Sequence, residues 1–148
     1  MSKNATKVKI HKMTEADLQR VREVDHKLVG PYRSVSWPLR VDAHWWVYRG
    51  MPNFVAEIED EIVGFILGDI RGGTQYGTEE VCAWIDMMGV APEYQSMGIG
   101  GELVEAFCKA CQSQGVKVRI FVVSDDERLV KFFKSCGFNK GNLVSYER

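Results

Sequence analysis

The chain of 148 residues is long enough for one domain with a buried core, and 45% hydrophobic and 26% charged residues are typical of a globular protein. A net charge of −1 offers no basic surface, so we expect neither nucleic acid nor membrane as a partner, and no apolar run approaches the roughly 18 residues that span a bilayer. The N-terminal residues lack the apolar core of a signal peptide, so the expectation is a cytoplasmic protein with a single domain over residues 1–148.

The first half of the chain is predicted to hold two helices and three strands. In chain order they are a strand over residues 8–13, helices over 14–29 and 41–48, and strands over 54–59 and 62–69. Thr14 followed by Asp17 has the spacing of a helix N-cap. The last two strands form an antiparallel hairpin, and their acidic side chains, Asp69 among them, are expected to face solvent.

The second half alternates strands and helices. After a polar glycine loop come a strand over residues 81–90, a helix over 102–114, a strand over 116–123, a helix over 127–135 and a short closing strand or hairpin. The nearly continuous apolar composition of residues 116–123 is typical of a buried central strand. The order of elements predicts an α/β fold in which helices flank both faces of one mixed sheet.

A glycine-rich run between the strand ending at Val90 and the next helix is the strongest indication of a ligand site. It reads Gln95, Ser96, Met97, Gly98, Ile99, Gly100 and Gly101. The first turn of a helix has N–H groups without intrahelical partners and carries the positive end of the helix dipole. Because glycine has no Cβ atom, an anion can approach the backbone closely. The run predicts a site for a phosphate-bearing ligand; the alternative is a plain strand-to-helix loop.

The four cysteines are expected to be reduced thiols, since a domain of this size does not need disulfides. Cys108 and Cys111 have a C-x-x-C spacing, which is compatible with metal or redox chemistry. They lie in the middle of a predicted helix among apolar residues, and we interpret them as part of its buried face. The three histidines are scattered, and no metal site is expected.

Two motifs identify a family. Residues 90–100 read Val-x-Pro-x-Tyr-Gln-x-x-Gly-x-Gly, and residues 132–138 read Phe-Phe-Lys-Ser-Cys-Gly-Phe. The first resembles the coenzyme A motif of the GNAT superfamily of N-acetyltransferases, Q/R-x-x-G-x-G/A, and the second resembles that family's downstream signature. The resemblance implies a mixed, mostly antiparallel sheet with helices on both faces, and acetyl-CoA as co-substrate.

The resemblance also implies how the coenzyme is held. The family binds its pyrophosphate on the backbone N–H groups of the glycine turn, here residues 95–101, and its pantetheine arm beside the preceding strand. The backbone of Met88 and Val90 takes that second role in this chain, with Gly89 expected to be a bulge. A backbone N–H of Val90 or Met88 would stabilise the oxyanion when an amine attacks the thioester.

A general base is needed because a protonated amine has no lone pair with which to attack. Strand alternation places Glu80, Cys82, Trp84 and Asp86 on one face. Asp86 is the first candidate for the base and Glu80 the second, whereas some family members carry a glutamate where this chain has Trp84. The alternative for Asp86 is a solvated or loop-capping carboxylate.

The second motif departs from the family pattern at three positions. The tyrosine thought to protonate the leaving thiolate falls on Phe133, which belongs to the expected coenzyme site but has no proton to give, so water or Ser124 would assist. The family's asparagine falls on Asp126 and its alanine on Leu129. Asp126 is expected to cap the last helix and bind a pantetheine amide, with Asp125 or Ser124 as alternative caps.

The expected activity is transfer of acetyl from acetyl-CoA to a primary amine by direct attack. The acceptor is a small molecule, a peptide N-terminus or a lysine, and an aromatic-rich segment over residues 31–48 either shapes its pocket or covers the sheet. The rival hypothesis is a non-catalytic acyl-CoA binding module, and a weaker one is transfer of a different acyl group. Since the family often uses its C-terminal region for dimer contacts, a homodimer is a further expectation.

Overall fold

The computed structural model describes residues 7–29, 51–72 and 80–148. Its strands are β1 (Lys9–Lys12), β2 (Phe54–Ile58), β3 (Glu61–Gly72), β4 (Val81–Val90) and β5 (Lys117–Arg119). Its α-helices are α1 (Leu18–Val29), α2 (Ile99–Gln112) and α3 (Glu127–Ser135), with 3-10 turns at Glu15–Asp17 and Pro92–Tyr94. The predicted helix over residues 41–48, the aromatic segment around it and most of the polar glycine loop lie outside the described residues.

One sheet joins the described strands in the order β1-β2-β3-β4-β5. Neighbours are antiparallel from β1 to β4, and β5 runs parallel to β4. On one face Val21 of α1 packs in a cluster with Phe65 of β3. On the other face Leu103 and Phe107 of α2 share a cluster with Phe133 of α3. The prediction of a mixed, mostly antiparallel sheet with helices on both faces is therefore confirmed.

Gly68 in β3 allows α2 to lie close to the sheet. A Cβ atom at this position would overlap the backbone oxygen of Trp84 and would lie 2.5 Å from Cζ of Phe107. On the opposite face, Gly89 in β4 leaves room for Leu28 of α1, whose Cδ1 a Cβ atom there would overlap. The two glycines therefore set how closely one helix on each face approaches the sheet.

Asn53 extends the hydrogen bonding of β3 past the end of β2. Its side-chain oxygen accepts a 2.9 Å hydrogen bond from the N–H of Gly68, and its backbone oxygen accepts one of 2.9 Å from Met13. The residue is 1% exposed, so this bond forms away from water. Because β2 begins only at Phe54, the side chain satisfies a buried donor that the strand does not reach.

The start of each of the first two helices differs from its prediction by a few residues. The Asp17 carboxylate accepts a 2.8 Å hydrogen bond from the backbone N–H of Thr14, as the N-cap spacing predicts, but α1 itself begins at Leu18 after a 3-10 turn. α2 begins at Ile99 rather than at residue 102. Gly98 is its N-cap and has a φ of 80°, a left-handed conformation that glycine adopts without steric cost.

Two strand predictions in the last third of the chain are wrong. The strand predicted over residues 116–123 is reduced to β5, and Phe121 and Val123 are 71% and 70% exposed. Its pairing with β4 ends at Arg119 opposite Trp84, so the rest of the apolar run has no partner strand among the described residues. Residues 138–148 form no strand, so the closing hairpin is absent from this part of the chain.

Candidate functional site

β4 carries one extra residue opposite β3, and that residue is Asp86. Leu67 of β3 pairs with Met87, whereas the next residue, Gly68, pairs with Ile85, so Asp86 has no counterpart. Such a bulge bends the strand and changes the direction of a side chain. The candidate base therefore sits at the one irregular position of the β3–β4 pairing.

The expectation of a bulge at Gly89 is wrong. Gly89 pairs with Phe65 in regular register. Its lack of a side chain is explained by Leu28 of α1, which occupies the space where a Cβ atom would lie. Glycine is needed here for helix packing, not for a break in the strand.

The bulge reverses the faces to which the later side chains of β4 belong. Before it, Ala83 and Ile85 pack in the cluster beneath α2; after it, Met88 and Val90 pack against that cluster. Met87 packs against the cluster beneath α1. Strand side chains alternate between the two faces of a sheet. One inserted residue therefore places every later side chain on the face opposite to the one that regular alternation would give.

The end of β4 has one edge without a strand partner. β5 pairs with residues 82–84, and no described strand follows that edge further. Ala91 N–H donates to the Val63 oxygen at 2.8 Å, so alternate residues of β4 bond to β3 at this end. The backbone N–H and C=O groups of Met88 and Val90 therefore point away from β3, towards the open edge. An extended ligand can pair there as another strand would.

Gln95 links this strand end to the glycine turn. Its side-chain Nε2 donates a 3.1 Å hydrogen bond to the Val90 oxygen. The bond is possible only because the Val90 carbonyl does not face β3. The side chain of Gln95 thus holds the strand end, while the backbone after it forms the turn.

The glycine turn presents free backbone donors to the same region. The first hydrogen bond of α2 runs from Glu102 N–H to the Gly98 oxygen at 3.1 Å, so the N–H groups of residues 99–101 precede the helical ladder. Ser96 has a φ of 65° and Gly98 one of 80°, so the turn folds tightly. These N–H groups and the positive end of the α2 dipole have the geometry that binds anions at helix N-termini in general, and an anion site here stays a prediction.

Open space borders the first turn of α2. A Cβ atom on Gly101 would have no atom within 4 Å, and one on Gly100 would lie 3.4 Å from Cζ of Phe132 and 3.9 Å from Cε of Met88. Phe132 is therefore the aromatic residue of the second motif that faces the turn. Comparing this chain with the family at the tyrosine position draws attention to Phe133 and not to Phe132.

The structure shows where the other residues with a predicted role in or near the second motif lie. Phe133 is 4% exposed and packs edge-to-face against Phe132 and Phe138, with ring centroids 5.0 and 5.4 Å apart. The structure thus places it in the core rather than on the surface of the turn. Asp126, not Asp125 or Ser124, caps α3, because its Oδ1 accepts a 3.0 Å hydrogen bond from Leu129 N–H. Ser124 is exposed in the preceding turn.

Asp86 belongs to a charged cluster with two residues of β3. Arg71 donates from Nη2 to Asp86 Oδ1 at 2.9 Å and from Nη1 to Oδ2 at 3.1 Å, and it also pairs with Asp69. The guanidinium carbon lies 5.4 Å from the centroid of the Trp84 ring. Asp69 is 1% exposed, so the expectation that it faces solvent is wrong: Arg71 compensates its buried charge.

Glu80 lies at the other end of β4. It precedes the strand, is exposed, and pairs with Lys117 at 3.7 Å. Ten residues of extended chain separate it from Val90, a distance of about 33 Å at about 3.3 Å per residue. Asp86 lies only two residues before Met88 on β4, and its carboxylate pairs with Arg71 of β3.

The cysteines of the C-x-x-C spacing lie on the core side of α2, as predicted. Cys111 is buried, Cys108 is half-buried, and all four cysteines are free. Burial raises the pKa of both thiols to about 11, with Cys111, Glu105 and Cys136 adding to the shift at Cys108. Across residues 7–29, 51–72 and 80–148, no group of three or more His, Cys, Asp or Glu side chains is arranged to hold a metal ion.

We expect Cys108 to resist alkylation at neutral pH. With a pKa of about 11, roughly one thiol in ten thousand is ionised at pH 7, and this fraction rises about tenfold per pH unit towards the pKa. Mass spectrometry after iodoacetamide treatment should show labelling at least about a hundredfold slower than in the urea-unfolded chain. Equal rates in the native and unfolded states at pH 7 would contradict the buried environment.

No helix in the described part of the chain is long and apolar enough to cross a membrane.

Comparison with known proteins connects this geometry to a family. The chain matches the model of the Acetyltransferase (GNAT) family over residues 18–138. No curated protein sequence matches it. One similar solved structure is AAC(6')-Iy in complex with the bisubstrate analogue CoA-S-monomethyl-acetylneamine, 17% identical with a TM-score of 0.79, where the match covers 96% of this chain and 97% of that one.

Two further structures show the same architecture. The aminoglycoside acetyltransferase meta-AAC0020 from an uncultured soil metagenomic sample, in complex with sisomicin, is 20% identical with a TM-score of 0.72, and the match covers 95% of each chain. Ard1 from Thermoplasma volcanium is 23% identical with a TM-score of 0.69, covering 91% of this chain and 84% of that one. At these identities the likeness shows the fold. Because the family model matches most of its length, the chain belongs to the Acetyltransferase (GNAT) family and is a GNAT-type N-acetyltransferase.

Proposed function

We propose that the protein transfers an acetyl group from acetyl-CoA to a primary amine by direct attack of the amine on the thioester. One observation carries the proposal: the unpaired backbone edge of β4 at Met88 and Val90 leads directly into the free N–H groups at the start of α2. An extended amide-bearing arm and a pyrophosphate are the two chemical parts that such a continuous site accommodates.

The coenzyme would be held mainly by backbone groups. Residues 95–101 provide the N–H donors for the pyrophosphate, and Met88 and Val90 pair with the amides of the pantetheine arm. Gly100 and Gly101 keep the approach to those donors open. Asp126 retains one carboxylate oxygen beyond the α3 cap and is available to a pantetheine amide. We leave Phe133 out of this site because it packs in the core.

The chain's own groups would act on the reacting atoms as follows. Asp86 accepts a proton from the acceptor ammonium, directly or through a water molecule, and frees the nitrogen lone pair. A backbone N–H of Val90 or Met88 stabilises the oxyanion that develops on the attacked carbonyl. Coenzyme A leaves as a thiolate, whose conjugate thiol has a pKa near that of free cysteine, about 8.5, so a proton from water or from the exposed Ser124 is sufficient to release it as the thiol.

The neighbouring structures favour a small-molecule amine as the acceptor. AAC(6')-Iy and meta-AAC0020 are aminoglycoside acetyltransferases, and the structure of the latter contains sisomicin. A peptide N-terminus or lysine is the alternative acceptor, and the two classes differ in how much extended chain the site must accommodate. We therefore propose a soluble polyamine or amino sugar ahead of a peptide.

Thiol release from acetyl-CoA tests the function. The protein is incubated with acetyl-CoA and a panel of amino sugars, polyamines, amino acids and peptides, and free thiol is followed continuously. At least one amine should accelerate release, with the acetylated amine identified by mass spectrometry. Tight binding of coenzyme A without amine-dependent release would favour a binding module instead. Replacing acetyl-CoA by longer acyl-CoA species in the same assay tests the acyl group.

We expect Gly101→Ala to weaken coenzyme A binding without weakening the fold. The new methyl group stands in open space beside the N–H donors, while alanine in a helix is favoured over glycine by about 1 kcal/mol. Calorimetry should show affinity reduced about tenfold or more, since a hydrogen bond to a charged group contributes about 1.5–3 kcal/mol. Gln112→Ala, exposed at the other end of α2, is the control. Unchanged affinity in Gly101→Ala would count against pyrophosphate at this turn.

A further inference from the structure

Arg71 is the described residue that holds the candidate base in place. It contacts both oxygens of Asp86 at 2.9 and 3.1 Å, in the planar two-point arrangement that arginine forms with a carboxylate. Within the described part of the chain no other cation lies within ion-pair distance of Asp86. Sequence reasoning does not single out this arginine, because it lies 15 residues before its partner on another strand.

Arg71 is itself anchored from two sides. Its Nη1 also pairs with Asp69, whose side chain is 2% exposed, and its guanidinium lies over the Trp84 ring. A buried carboxylate keeps a paired cation firmly, because an unpaired charge away from water is costly. The aromatic face adds a favourable contact to the same cation. These two contacts hold the guanidinium at a fixed point, although the Arg71 side chain is 43% exposed.

Asp86 needs such a fixed point because it is the bulged residue of β4. It has no counterpart on β3, so regular pairing does not fix its direction. Its side chain is 25% exposed, which leaves access for an amine or a water molecule. Each carboxylate oxygen has two lone pairs, so bonds to Arg71 leave acceptor capacity for a second donor.

We propose that Arg71, anchored by Asp69 and Trp84, is a positioning residue that orients the Asp86 carboxylate for proton transfer from the acceptor amine. The inference rests on the proposed function, in which Asp86 is the base. Arg71 does not touch the substrates; it acts through Asp86. Lysine would keep the positive charge for Asp69 but lose the two-point contact, so charge and orientation can be separated experimentally.

A double-mutant cycle with Asp86 tests the proposal. Arg71→Lys should lower kcat for amine acetylation by about tenfold or more, since misplacing a reacting group by about an ångström costs up to about 100-fold. KM for acetyl-CoA should stay within about twofold, because Arg71 lies outside the coenzyme-binding residues. In an Asp86→Asn background the same substitution should change kcat less than about twofold. Arg20→Lys, in an exposed pair on α1, is the matched control.

Asp69→Asn provides a second variant that tests the same proposal if Arg71→Lys folds poorly. It removes the anchor of Arg71 and should lower kcat in the same non-additive way. Wild-type kcat in the folded variants, or equal losses with and without Asp86, would overturn the proposal.

Crystal structures of the wild type and Arg71→Lys provide a readout that does not need activity. The Asp86 carboxylate should rotate away from its wild-type direction in the variant, and an unmoved carboxylate would overturn the proposal. If wild-type protein acetylates no amine, the proposed function fails, yet these structures still decide whether Arg71 orients Asp86.

Discussion

Asp86→Asn should lower kcat about 100-fold while leaving KM for acetyl-CoA within about twofold, because general-base catalysis contributes about 10²–10⁴-fold. Asparagine has the same shape and still accepts a hydrogen bond from Arg71, but it takes up no proton. In the proposed site the coenzyme is held by the backbone of residues 88–101 and by Asp126, and not by this side chain. Steady-state kinetics with the best acceptor from the thiol-release panel measures both constants.

The control for this substitution is Glu105→Gln, an exposed carboxylate on α2 that pairs only with Lys109 at 3.8 Å among the described residues. It should keep wild-type kcat. Thermal unfolding of each variant guards against a loss caused by misfolding. If Asp86→Asn retains full kcat in a folded protein, Asp86 is a bulge carboxylate with a structural role, and the base must be sought elsewhere.

Gly68→Ala should destabilise the fold by about 3 kcal/mol or more, since overpacking a well-packed core costs about 1–3 kcal/mol and occasionally more. The added methyl group would overlap the Trp84 backbone oxygen and lie 2.5 Å from the Phe107 ring. A backbone atom cannot rotate away as a side-chain end can. In a chain of this size the expected fall in Tm is about 10 °C, measured by calorimetry or circular dichroism.

Gly64→Ala, four residues earlier on the same strand, is the matched control. Its Cβ atom would lie 3.2 Å from both the Gly89 oxygen and Cδ1 of Leu103, a contact that small adjustments relieve. We expect it to destabilise the fold by less than half as much as Gly68→Ala. Similar losses in the two variants would mean that glycine flexibility, rather than space for α2, explains Gly68.

Local sequence patterns predicted the parts of the site that depend on neighbours in the chain. The glycine run at residues 95–101 and the helix after it follow from turn chemistry and helical periodicity, which are local properties. The assignment of Met88 and Val90 came from family resemblance, and the hydrogen bond of Ala91 to Val63 gives it a geometric reason. The prediction that Asp126 caps the last helix follows from the position of the family's asparagine, with Asp125 and Ser124 as alternatives, and the hydrogen bond from Leu129 N–H confirms Asp126.

The parts that depend on pairing between distant segments could not be predicted in this way. The burial of Asp69 and its pairing with Arg71 require knowing that β3 lies against β4 with an extra residue at Asp86. The apolar run over residues 116–123 looks like a long strand, but strand length depends on the partner as much as on composition. Helical phase alone did not distinguish Phe132, which faces the turn, from the buried Phe133.

The extra residue in β4 can be removed without disturbing the strand that follows it. Deleting Asp86 would place Ile85 and Met87 next to each other, opposite Gly68 and Leu67, so the pairing with β3 would become regular. The backbone groups of Met88 and Val90 would still point away from β3, because their own pairing would not change. A relative with a gap of one residue at this point would therefore keep the open edge and lose the candidate base.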